Sequence, residues 1–163
     1  MLRLIGGCMI IIAGTMFGVI KSDALKFRAR SLEKIISGLS LLETDISYGK
    51  RNLRDSLFAI GKNHGIDFFS KTASVLPVNG IKTALDVALT EENSLLEKDK
   101  AQLRFLGENL GMTDAGSQSA AIKRTILNLE EEKKEATSEY ERLGKLYRSA
   151  GFLAGMLGAI ILI

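Results

Sequence analysis

Tryptophan is absent, and cysteine, histidine and proline occur once each in 163 residues. Each scarcity removes a class of function. A lone Cys8 excludes an internal disulfide framework, and its place inside an apolar run reads as a buried, inert thiol. A lone His64, in the turn Lys62-Asn63-His64-Gly65, has no companions for a zinc site or a nucleophilic triad. One proline leaves long helices uninterrupted, and 6% aromatic content suits cores built on Leu, Ile and Ala. Charge of one sign is also missing. A net +3, with basic and acidic residues interspersed, gives no basic patch for nucleic acid.

What is present is apolar length. Leu4 to Ile20 is a run of 17 residues without a charge, and Ser149 to Ile163 is a second run, of 15. At ~1.5 Å per residue they span about 25 and 22 Å, somewhat short of ~30 Å of hydrocarbon, so local thinning or snorkelling is required. A secretory signal is the rival reading of the first run. It is opposed by the very short basic region, the missing Ala-x-Ala-like site and the immediate return to charge at Lys21. Buried core helices are the rival for both, opposed by apolar character on every face. Gly14-x-x-x-Gly18 and Gly151-x-x-x-Gly155 add spacing that permits close helix packing in a membrane.

Between the runs the pattern is helical. Ile122, Ile126, Leu129, Ala136, Tyr140, Leu143, Tyr147 and Ala150 recur at three-four spacing, broken only by Lys133, and the register continues through Ala154, Leu157 and Ile161. Leu25, Leu32, Ile35, Leu39, Leu42 and Ile46 form a matching stripe, with Arg28 in its one polar slot. Residues 21–48 and 114–148 would reach about 42 and 52 Å as helices, comparable lengths for an antiparallel stalk. Four shorter helices are expected between them: 52–63, one from Asp67 that stops before Pro77, Ile81 to Leu89 after the Asn79-Gly80 turn, and Glu91 to Leu110. No alternating strand pattern stands out.

The expected fold is therefore all-α: a membrane-anchored bundle of about six helices, whose long first and last helices form an antiparallel stalk that continues into the membrane. Residues 1–20 and 149–163 read as transmembrane segments and 21–148 as a cytoplasmic helical domain. Basic residues crowd both ends of that domain, which places it in the cytoplasm and both termini across the membrane.

No catalytic, cofactor or metal constellation emerges. Gly61-Lys62 and Gly144-Lys145 lack the remaining residues of a phosphate loop. Glu130-Glu131-Glu132 reads as a solvated face. Glu43 and Asp45 lie in the last turns of the first stalk helix, where carboxylates oppose the helix dipole, so capping does not explain them and contact with a basic partner surface could. Antiparallel pairing would bring Tyr48-Gly49 and Gly111 to Asp114 to the same end. Glu43, Asp45, Tyr48, Gly49, Gly111 and Asp114 are accordingly candidate partner-binding residues. A structural reading is equally available, with both glycines closing helices, Asp114 as a cap and Tyr48 filling the core.

Three stretches resemble the stage III sporulation protein AB family: Leu42-Glu43-Thr44-Asp45-Ile46-Ser47-Tyr48-Gly49 with Leu53, Phe105-Leu106-Gly107-Glu108-Asn109-Leu110-Gly111-Met112-Thr113-Asp114, and Ser149-Ala150-Gly151-Phe152-Leu153-Ala154-Gly155. The resemblance covers nearly the whole chain. It implies a non-enzymatic platform or adaptor in a sporulation-specific, secretion-like channel complex between mother cell and forespore, located in the mother-cell membrane around the forespore. The implied partners are a cytoplasmic ATPase, stage III sporulation protein AA, and other membrane subunits, alongside the lipid bilayer; a homo-oligomer is possible. The soluble part is similar to the type II secretion system protein F domain. Composition alone also fits a generic membrane-tethered coiled-coil scaffold, or a small helical regulator unrelated to secretion.

Overall fold

The computed structural model describes residues 2–49, 52–111 and 114–162, with side chains from residue 6 to residue 161. It is all-helical: α1 (Leu2–Ser47), α2 (Leu53–His64), α3 (Asp67–Glu91), α4 (Glu97–Asn109) and α5 (Ala115–Leu162). No strand occurs among the described residues. Two compact units emerge, one from residues 1–29 with 134–163 and one from residues 30–133.

The unit of residues 30–133 holds the main hydrophobic core. Leu32, Ile35, Leu39 and Leu42 of α1 are all buried, as the three-four spacing requires, and so are Ile122 and Leu129 of α5. The shorter helices contribute Leu57, Phe69, Leu89, Leu103 and Leu106. Gly38 gives the Phe69 ring its seat, because a Cβ there would overlap the ring directly. Phe68 meets Phe69 edge-on, with centroids 5.2 Å apart. Lys133, the polar break in the α5 stripe, reaches Glu33 at 3.5 Å, so it closes the helix pair rather than opening it.

This unit differs from expectation in three places. The helices expected on either side of Pro77 are the two arms of α3, which carries Pro77 inside it and is broken at Gly80 (φ 75°, ψ 169°). Pro77 stands three residues before the break, so it costs only the final bonds of the first arm. The helix expected from Glu91 begins at Glu97 instead, because Asp99 accepts a hydrogen bond from the Leu96 amide at 2.9 Å and fixes the start there. Tyr48 does not fill the core but is exposed.

In the unit of residues 1–29 and 134–163, α1 and α5 are antiparallel and touch backbone to backbone. A Cβ on Gly14 would lie 2.7 Å from the Gly151 carbonyl oxygen, one on Gly155 2.9 Å from the Ile11 Cα, and one on Gly18 would overlap the Tyr147 carbonyl. The expected register through Ala154, Leu157 and Ile161 is not the buried one. Those residues face outward, while Gly155 and Ala159 are buried. An α-helix drifts about 20° per heptad against a strict seven-residue repeat, roughly 80° over the four heptads from Leu129 to Leu157, so the stripe rotates away from the contact. Cys8 is likewise exposed on the outward face, contrary to the buried thiol expected. Arg28 is buried beside Glu139 at 3.6 Å, which reconciles a cation with the apolar stripe.

Candidate functional site

The candidate partner-binding residues lie in the unit of residues 30–133. Gly49 ends α1 in the left-handed region (φ 60°) with open space where its side chain would be, and its amide donates to Ile46 at 3.1 Å. Asp114 starts α5: its carboxylate accepts from the Ser117 amide at 3.0 Å and the Ser117 hydroxyl at 2.8 Å. These bonds lower its pKa, so Asp114 stays ionised as a cap. Met112 and Thr113 lie outside the described residues.

Glu43 is where the two long helices are tied. Its Oε1 accepts from Ser119 at 2.6 Å, from Ser47 at 2.7 Å and from Lys123 at 3.2 Å. The Ser119 and Ser47 hydroxyls, with the Lys123 ammonium behind them, hold its pKa down to about 2 from the usual 4.5. The dipole argument that pointed Glu43 at an external partner thus has an internal answer on α5. Asp45 is half-buried.

The folded pKa of Glu43 lies below the unfolded value. Its contribution is therefore fully present above about pH 4.5 and fades as pH falls towards 2. Glu43→Gln is expected to cost about 1.5–3 kcal/mol at pH 7, the scale of a hydrogen bond to a charged group. The gap in melting temperature between parent and variant should narrow steadily between pH 5 and pH 3. A gap that does not change with pH would mean the carboxylate charge is not what binds α5.

Next to Gly111 lies an apolar cavity of about 580 Å³, lined chiefly by Leu53, Leu76, Gly80, Ile81, Gly107, Leu110 and Gly111. Its shape comes from backbone. Gly80 breaks α3, Gly111 turns with φ 79° after α4, and the Leu53 and Ile81 side chains stand 3.8 and 3.9 Å from where a Gly111 Cβ would be. Lys82 and Glu108 pair across the rim at 3.1 Å, and Val78, the chain neighbour of the lining residue Asn79, is 82% exposed. Gly107, Glu108, Leu110 and Gly111 belong to the second of the family-like stretches, Gly111 is also a candidate partner residue, and Leu53 follows the first stretch. Leu76 and Lys82 carry no sequence signal, and the Asn79-Gly80 dipeptide reads by sequence only as a turn.

The structure thus brings Glu43 to the first turns of α5 and places Gly111 in a cavity wall. Gly49 and Asp114 act as helix terminators, and Tyr48 is left on the surface. Gly14, Gly18, Gly151 and Gly155 meet one another in the other unit. No group of three His, Cys, Asp or Glu residues that could hold a metal occurs among the described residues.

The sequence model of the family described as Stage III sporulation protein AB matches residues 3–163. A relative from Bacillus subtilis (strain 168), described as Stage III sporulation protein AB, is 29% identical over 170 residues, covering 99% of each chain. No solved structure matches.

Proposed function

Because the chain belongs to the stage III sporulation protein AB family, we propose that it is a non-enzymatic platform subunit of a secretion-like channel complex in the mother-cell membrane. In this reading it couples a cytoplasmic ATPase to membrane partners. The observation that carries the docking part is the apolar cavity at Gly80 and Gly111, since a concave apolar site with a polar rim is the form that receives a partner's anchoring side chain. Exposed Val78 and Tyr48 provide further apolar surface on the same unit. Glu43 is committed to α5, so the proposed contact rests on the cavity and not on that carboxylate.

The test is copurification of the ATPase with the tagged full-length chain from sporulating cells. Val78→Glu is expected to lower the recovered ATPase at least tenfold with no fall in melting temperature. Undiminished recovery would remove the exposed α3 surface next to the cavity from the interface.

Membrane anchoring is proposed at both ends. Among the described residues, α1 from Gly6 is the one helix long and apolar enough to cross a membrane by length and composition. The C-terminal run, paired with it through the glycines, would enter beside it. With Cys8 replaced, a cysteine at exposed Asn93 should escape a membrane-impermeant thiol reagent added outside intact cells. Labelling equal to that in lysed cells would reverse the orientation.

A further inference from the structure

Where the two charge-free runs give way to charge, the unit of residues 1–29 and 134–163 holds a cavity of about 440 Å³ lined by Ser22, Tyr140, Glu141, Gly144, Lys145 and Arg148. Its floor is unusual. Ser22 is fully buried, and its hydroxyl has no hydrogen-bond partner among the described residues. A buried hydroxyl left unpaired is costly, and the cost is offset where a ligand supplies the missing bond. Gly144, in the same lining, leaves the space beside that hydroxyl unfilled, because a Cβ there would stand 3.1 Å from both the Ser22 oxygen and the Tyr140 ring.

The lining chemistry identifies the ligand class. Lys145 and Arg148 bring two cations, and Ser22 brings a hydroxyl that can donate. Glu141 is the one carboxylate in the lining, so the lining carries a net positive charge. Arg148 also reaches Asp23 at 3.4 Å, which holds the guanidinium in place with donors to spare. Two cations and a buried donor suit a phosphate oxygen. The location decides which phosphate: Ser22 lies two residues after the last apolar residue of the first run, Ile20, and Arg148 immediately precedes the second. In a membrane-anchored chain this is the level of the cytoplasmic headgroups.

We propose that this cavity is a binding site for the phosphate of an anionic phospholipid, with Lys145 and Arg148 neutralising it and Ser22 donating to it. The inference rests on the membrane reading above. Alkaline carbonate extraction tests that reading separately, since release of the chain into the supernatant would remove the membrane without any lipid measurement.

The site itself is tested by native mass spectrometry of the full-length chain in mild detergent. One dioleoyl-phosphatidylglycerol is expected to be retained per chain, at least tenfold in preference to dioleoyl-phosphatidylcholine. Lys145→Ala with Arg148→Ala should abolish that preference. Ser22→Ala, which removes an unpaired group without adding bulk, should not lower the melting temperature and should reduce retention several-fold. Equal retention of the two lipids, or undiminished retention by Ser22→Ala, would overturn the site. Displacement of the lipid by an equal concentration of glycerol 3-phosphate would overturn its assignment to lipid and favour a soluble phosphate.

Discussion

Replacing Leu39 by aspartate is expected to unfold the unit of residues 30–133. Leu39 is 2% exposed, in the α1 stripe that also buries Leu32, Ile35 and Leu42. An ionised carboxylate there has no partner and cannot be reached by water, a change that belongs to the rare class costing more than about 4–5 kcal/mol. Total stabilities of about 5–15 kcal/mol leave little after such a loss. Circular dichroism and melting of the full-length chain in detergent would show it as a lost cooperative transition. Ile126→Asp should do less, because Ile126 is only half-buried on α5. Leu127→Asp, on the outward side of the same helix at 63% exposure, should stay within about 0.5 kcal/mol of the parent. A Leu39→Asp variant that melts like the Leu127→Asp variant would mean that α1 does not pack by this stripe.

Gly18→Leu is expected to force α1 and α5 apart in the unit of residues 1–29 and 134–163. Even a Cβ at Gly18 would overlap the Tyr147 carbonyl, and behind it stands the Arg148 Cα at 3.3 Å. These are backbone atoms, so no side-chain rotation relieves the overlap. Overpacking in cores costs about 1–3 kcal/mol when neighbours can shift; here the close approach itself must be given up, so the upper end applies. Met16→Leu, at an exposed position in the same helix, provides the control and should leave the melting temperature unchanged. Equal melting of the two variants would show that the glycine contact does not hold the pair.

The long helices were legible because each writes its core contacts at a spacing that local sequence displays: Leu32, Ile35, Leu39 and Leu42 on α1 and Ile122 and Leu129 on α5 are buried as the stripe requires. The stripe misled from Tyr147 onward, where the straight helix outruns a seven-residue repeat. There the contact is made by residues with little hydrophobic signal of their own, Gly151 and Gly155, and the glycine spacing was the better guide. The start of α4 was misplaced because Leu95 and Leu96 look helical by periodicity, whereas the Asp99 bond to the Leu96 amide sets the boundary. Glu43 was singled out for the right oddity, a carboxylate against the helix dipole. Its partners Ser119 and Lys123 lie 76 and 80 positions away in the chain, a pairing that only the folded helices reveal. The cavity at Gly80 and Gly111 was hidden for a similar reason: each glycine explains a turn by itself, and the hollow exists only where the two turns meet.

The glycine contact has a consequence for assembly. Gly14, Gly18, Gly151 and Gly155 are consumed within one chain, so the small-residue surface by which membrane helices approach most closely is already occupied. What α1 and α5 turn outward in this unit is mostly bulky: Ile12, Met16 and Phe17 on one, Leu153, Leu157 and Ile160 on the other, with Ala150 and Ala154 as the exposed small pair on α5. Away from that pair, a helix from another subunit would be met by interlocking large side chains at wider axial separation. Such contacts tolerate Leu-to-Ile or Met-to-Leu exchange on the outside, while the inside tolerates no added carbon. Within a single helix, one face would then drift freely during evolution and the opposite face would be held to glycine.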